Sequence, residues 1–146
     1  MFTWKIYGIT VVTLFLKMLA IVLIQVNARR KSNNFSTPED AAILGKGATG
    51  VAQESQLLQR ATKILNNDGE NIPIFLFLAT AYVNLGCWET GTLIYFPLFV
   101  LSRFAHTIAF LRAIQPLRTR AYQLGLAVMI VLSGHILWTA LLGTSN

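Results

Sequence analysis

The chain has 146 residues, of which 54% are apolar and only 12% charged, and its mean hydropathy is +0.55. Charged residues run at about half of the roughly 25% usual for globular domains. That shortage excludes a soluble catalytic domain and, at about 20 apolar residues per helical crossing, leaves room for about four crossings and little else.

The net charge of +6 comes from twelve Lys and Arg against six Asp and Glu. The basic residues are scattered between apolar runs and form no polybasic face, which argues against a nucleic-acid partner. A single cysteine, Cys87, rules out an internal disulfide, and no Cys/His cluster has zinc spacing, so no metal site is expected.

The predicted fold is all-α, an integral membrane four-helix bundle forming one domain over residues 1–146. The spans are expected at about 6–27, 71–88, 92–112 and 120–142, with a polar connection over 28–70. The first apolar run carries Lys17 in its middle and is followed by Arg29-Arg30-Lys31. Its length and central charge favour a membrane anchor over a secretory signal peptide. Lys17 is expected to snorkel or to pair inside an oligomer.

The polar connection and its immediate flanks hold five of the six acidic residues. Ser36-Thr37-Pro38-Glu39 predicts a helix start, with a hydroxyl cap, proline at the first position and acids in the first turn. The run Gly45-Lys46-Gly47-Ala48-Thr49-Gly50 reads as a turn that breaks that helix. No strand precedes it and its lysine is misplaced for a phosphate loop. A second helix from about Gln53 continues through Asn66-Asn67-Asp68-Gly69-Glu70 into the short second apolar run.

Basic residues set the orientation. Arg29, Arg30, Lys31, Lys46, Arg60, Lys63, Arg112, Arg118 and Arg120 lie in the two connections on one side, against Lys5 on the other. This predicts cytoplasmic connections, with both chain ends across the membrane, in a bacterial inner membrane or the endoplasmic reticulum.

Arg103 falls inside the third span, where an unpaired guanidinium costs about 2.5–3.5 kcal/mol. At about 100° per residue, His106 lies about 60° and Phe110 about 20° from it, so the three form one stripe that should face protein or water. Glu70 is the expected acidic counterpart. Tyr122 shares a helix face with Arg118, beside Thr119, and Arg29 ends the first span at a similar depth. Guanidiniums for carboxylates, Glu70 for an ammonium, and amides and hydroxyls for a backbone together suggest a pocket for a small, multiply charged ligand. The bland alternative is that Arg29, Arg112, Arg118 and Arg120 reach phospholipid headgroups. His135 is expected to be an interhelical hydrogen bonder, and Cys87 a packing residue.

The segments Arg29-Arg30-Lys31 with Phe35 and Thr37-Pro38-Glu39-Asp40, Asn67-Asp68-Gly69-Glu70-Asn71-Ile72, Arg103-Phe104-Ala105-His106 through Leu111, and Pro116-Leu117-Arg118 run in order along the chain. In that order and spacing they resemble the membrane-associated proteins in eicosanoid and glutathione metabolism. The resemblance is strongest to the branch that holds microsomal glutathione transferases and prostaglandin E synthases. It implies a homotrimer of four-helix protomers with glutathione, as co-substrate, bound between subunits. On matching positions it implies that Arg118 is catalytic with help from Thr119. It further implies that Arg29, Asn67, Glu70, His106 and Tyr122 bind glutathione, that Arg103 supports the polar interior, and that Asp40 and Lys63 are further candidates. Phe110 stands where the family commonly has tyrosine, and Leu65-Asn66 where it often has histidine and a basic residue.

The function so implied is a membrane glutathione transferase or peroxidase. It would generate the glutathione thiolate for attack on lipophilic electrophiles or lipid hydroperoxides arriving from the bilayer. The alternatives are a glutathione-dependent isomerase of a lipid endoperoxide and a non-catalytic lipid-binding scaffold of the same fold. A small ion-coupled transporter is a third reading, disfavoured because no acid lies within an apolar run.

Overall fold

A computed structural model describes residues 1–32, 35, 37–44 and 55–143; the glycine-rich run predicted to turn lies outside these described residues. The described residues fold into helices alone: α1 (Phe2–Ser32), α2 (Pro38–Leu44), α3 (Gln56–Asn84), α4 (Glu89–Leu111) and α5 (Gln115–Leu142). The helix boundaries have local causes. Pro38 opens α2 with Glu39 and Asp40 in its first turn, and the Thr37 hydroxyl accepts from the Asp40 amide at 3.3 Å. Ser55 caps α3 by accepting from the Leu58 amide at 3.2 Å.

The expected second span is the inner part of a longer element. α3 begins at Gln56, so Asn67 to Glu70 sit about three turns inside a continuous helix. It also stops at Asn84, before the predicted limit of residue 88, because Gly86 adopts φ 62° and reverses the chain. The amides of Gly86 and Cys87 then bond to the carbonyls of Val83 and Tyr82, satisfying the helix end.

The α4–α5 turn is built the same way. Ala113 and Ile114 donate to Phe110 and Ala109 carbonyls at 3.3 and 2.8 Å. Here the left-handed position belongs to Ala113, at φ 58°, where a Cβ is disfavoured by about 1–2 kcal/mol. Ala113→Gly is therefore expected to stabilise the protein by about 1 kcal/mol, read as a raised thermal midpoint in detergent.

α1 packs on α3 and α4, α5 packs on the same two helices, and α3 meets α4 across the middle. Rings fill one end of the interior: Phe75 stacks on Phe99 at 3.8 Å and meets Phe96 edge-on at 5.6 Å. A smaller apolar cluster of Ile21, Ala61 and Ile64 closes the other end, with Phe110 and Leu111 against it. Between the two clusters lies a polar layer. Lys17 falls between Leu14 and Ile21 on α1, Asp68 between Ile64 and Ile72 on α3, and Arg103 follows Phe99 by one turn on α4.

The outside is as apolar as the inside. Phe15, Phe77, Leu101 and Leu141 are all at least 60% exposed, and a surface this greasy is tolerated only in contact with lipid or partner. α1, α4 and α5 are long and apolar enough to cross a membrane. α3 has the length but carries Asn66, Asn67, Asp68 and Glu70 in its middle. As expected from the sequence, Cys87 is buried, and His135 is within 3.4 Å of the Tyr95 hydroxyl through Nδ1.

Candidate functional site

Helix periodicity brings the polar side chains of α3, α4 and α5 to one region. On α3, Asn67 and Asn71 stand one turn apart, and the Asn71 amide donates to the Asn67 carbonyl at 2.7 Å. The Asn67 side-chain oxygen reaches α4, where it accepts from Arg103 Nη1 at 3.2 Å. Arg103 is wholly buried. Its guanidinium carbon lies 5.3 Å from the ring centre of Phe99 and 5.9 Å from that of Tyr122 on α5. One turn along α4, buried His106 sits 5.7 Å from the Phe110 ring and 6.4 Å from Tyr122. The stripe predicted from helical spacing therefore faces protein.

The expected partner of Arg103 is corrected by this geometry. Glu70 is exposed and points away from the interior, and the oxygen that meets Arg103 belongs to Asn67. The buried acid is Asp68, one residue further along α3, and it is ion-paired with Lys17 of α1. Lys17 therefore neither snorkels nor waits for another subunit: it is 4% exposed, and its partner lies in the same chain. The two-residue step from Asp68 to Glu70 decides the matter because it turns a side chain about 200° around the helix, which carries Asp68 inward and Glu70 outward.

Arg118 occupies the next level. Its guanidinium carbon lies 4.7 Å from the ring centre of Phe110, so the aromatic ring that replaces the expected tyrosine holds the arginine by its face. Arg118, Arg60, Lys63 and Phe110 line a cavity of about 350 Å³, together with Gln56 and Gln115, between the start of α3 and the α4–α5 turn. No carboxylate lines it among the described residues. Arg60 is fixed there by donating to the Leu111 carbonyl, at the end of α4, at 2.8 Å. In the sequence Arg60 is only one of the basic residues that set the orientation. Its function as a clip between α3 and the end of α4 depends on a contact 51 residues away.

A second cavity, a groove of about 620 Å³ between α3 and α5, is headed by Glu70 and Tyr122 and continues along Ile74, Leu126, Met129 and Leu137. The wall between the two cavities is thin, since His106 contacts Phe110, which lines one, and Tyr122, which lines the other. The remaining predicted residues are more peripheral. Arg29 is half-buried in the last turn of α1, and Asp40 is exposed on α2. Thr119 is exposed and donates to the carbonyl of Gln115 at 3.3 Å, its own helix one turn back.

Arg103 Nη2, His106 Nδ1, Thr107 Oγ1 and Asp68 Oδ1 are buried without a hydrogen-bond partner. Buried polar groups are almost always paired, so an orphaned guanidinium nitrogen and, one helical turn along α4, an orphaned imidazole nitrogen mark places that a polar ligand or water completes.

Crossing-length helices and lipid-compatible faces define a helical integral membrane protein, with its candidate site where the polar groups of α3, α4 and α5 gather. Comparison with known proteins agrees with that class. The MAPEG family model matches residues 7–138. The chain is 32% identical over 128 residues to prostaglandin E synthase of Equus caballus, covering 87% of this chain and 82% of that protein. It is likewise 32% identical to the Homo sapiens prostaglandin E synthase, with 87% and 83% covered. Over 106 residues it is 34% identical to microsomal glutathione S-transferase 1 of Bos taurus, covering 70% of this chain and 68% of that protein. The chain belongs to the MAPEG family.

Proposed function

We propose that the protein is a membrane glutathione transferase, with peroxidase activity as a variant of the same chemistry, working as a homotrimer of four-span protomers in which α3 is the fourth crossing. The observation that carries the reading is Arg118, held on the face of Phe110 in a cavity with Arg60 and Lys63 and with no carboxylate to neutralise it. The similarity to a microsomal glutathione S-transferase points the same way.

The residues fit the ligand. Glutathione carries two carboxylates, one ammonium and two peptide groups. The site offers Arg60, Lys63 and Arg118 on one side of a thin wall, Glu70 on the other, and the unpaired His106 and Arg103 nitrogens between. Bound glutathione supplies a thiol whose thiolate is the nucleophile. A cysteine-type thiol has a pKa of about 8.5, so only a few per cent is ionised at neutral pH. Arg118 is the group that favours the thiolate, because an uncompensated guanidinium stabilises developing negative charge where water is largely excluded. Arg60 keeps the α4–α5 turn in place, and Phe110 holds the Arg118 guanidinium over its ring. The groove below Glu70 and Tyr122 gives a lipophilic acceptor a route from the bilayer, and in a trimer a neighbouring subunit closes it. Basic residues gathered at this end support a site that faces the cytoplasm.

Titrating the detergent-purified protein with glutathione while following thiolate absorbance tests the proposal. A thiolate signal at pH 7 is expected. Binding without that signal would remove thiol activation, and absence of binding would leave the scaffold reading. A halonitrobenzene, a lipid hydroperoxide and a lipid endoperoxide assayed side by side then separate transferase, peroxidase and isomerase.

A further inference from the structure

Three charges are buried in the polar layer, Lys17, Asp68 and Arg103, and the mechanism above uses only the last. Their arrangement is uneven. Asp68 Oδ2 is in contact with Lys17 Nζ, and both side chains are almost wholly buried. Arg103 has neutral partners only: Asn67 Oδ1 at 3.2 Å, Ser102 Oγ at 3.5 Å, and the rings of Phe99 and Tyr122. Yet Asp68 directly follows Asn67, the residue whose side chain accepts from Arg103, so carboxylate and guanidinium belong to one buried layer. Each also has an unpartnered polar atom, Asp68 Oδ1 and Arg103 Nη2. Without Lys17, Asp68 is the carboxylate that Arg103 lacks.

We propose that Lys17 and Asp68 form a field-setting pair: by engaging Asp68, Lys17 keeps Arg103 uncompensated, so the polar layer presents a net positive charge toward Tyr122, His106 and the thiol site. The proposal rests on the glutathione reading and adds two positioning residues to it. Neither is a catalytic residue, since both act through Arg103. The physical basis is the low dielectric of the interior, where a charge is felt over distances at which water would screen it. Arg118, His106 and Tyr122 are the other ionisable groups around this field. The His106 ring neighbours Tyr122, on which Arg103 sits, and Phe110, on which Arg118 sits, so the two guanidiniums flank the same space.

A pair that merely staples α1 to α3 and one that sets a field differ in sign. The bound thiol's pKa is measured by thiolate absorbance against pH for the full-length protein in detergent, comparing wild type, Lys17→Met, Asp68→Asn and the double variant. Removing the lysine alone leaves Asp68 to neutralise Arg103, so the thiol pKa is expected to rise by about half a unit or more. Removing the carboxylate alone leaves two cations, and the thiol pKa is expected to fall by a similar amount. The double variant is expected to return to the wild-type value, because a buried pair replaced by neutral groups of similar volume keeps both packing and net charge.

Single variants that shift in the same direction, or that bind glutathione with an unmoved thiol pKa, overturn the proposal. Asp68→Asn preserves shape and leaves no anion behind, so if Lys17→Met does not fold, an unchanged or raised thiol pKa in Asp68→Asn is sufficient to reject it. Failure of thiol activation itself shows up separately, as absence of a thiolate signal in the wild type.

Discussion

Arg118→Ala is expected to raise the pKa of the bound thiol by about two units, back toward about 8.5, and to cut the thiolate fraction at neutral pH, and turnover with it, by about twentyfold. The figure follows from what the guanidinium must supply, about 2.7 kcal/mol of differential stabilisation of thiolate over thiol. One guanidinium is adequate because it is half-buried, is held at 4.7 Å on the Phe110 face, and has no acid beside it in the cavity. Glutathione binding should weaken much less, since Arg60 and Lys63 line the same cavity and remain available for carboxylates. Arg118→Lys is expected to fall between, keeping the charge and losing the planar stack. Thiolate absorbance against pH and turnover with a halonitrobenzene give both readings. A thiol pKa unchanged in Arg118→Ala would sink the assignment.

Gly125→Leu is expected to be the most damaging single substitution for folding. A Cβ at Gly125 meets Ser102 Oγ at 2.9 Å and runs into the guanidinium of Arg103, which is itself wholly buried. Small residues let membrane helices approach closely, and here the closeness of α5 to α4 is what seals Arg103. A leucine must separate the helices or expel the arginine from its bond to Asn67, at a cost of about 3 kcal/mol or more. Loss of the folded fraction on size exclusion and a lowered thermal midpoint would show it. Gly8→Ala is the control: nothing lies within 4 Å of the added Cβ, and it sits in α1. It is expected to be neutral or stabilising by about 0.5–1 kcal/mol.

Much of the site was legible as spacing. Arg103, His106 and Phe110 share a face by helical periodicity alone, and the structure brings their rings and guanidinium into one polar layer capped by Tyr122. Thr37 and Pro38 announced α2 because capping chemistry is local. Thr119 shows the limit of such reasoning. It is next to Arg118 in sequence, but neighbouring residues diverge by about 100° around a helix, and its hydroxyl is taken by Gln115. The Lys17 and Asp68 pair was hidden for a further reason. The sequence places Asp68 within a helix but, with the second span expected from about residue 71, at the membrane surface, and only the axial offset of α3 against α1 brings it to the level of Lys17.

The sequence by itself determined that this is a helical membrane protein of the MAPEG family, which end of its helices gathers the cations, and which arginine is the candidate for the thiol. Those properties depend on run length, composition and order along the chain. Backbone groups in lipid must be satisfied within each segment, so an apolar run of sufficient length has no other structure to adopt. Tertiary structure alone decided the partners: Asp68 for Lys17, Asn67 for Arg103, the Leu111 carbonyl for Arg60, and an outward position for Glu70. These contacts join helices far apart in sequence. They depend on each helix's rotation and axial offset, which a shift of one residue or one turn changes completely and no local pattern records.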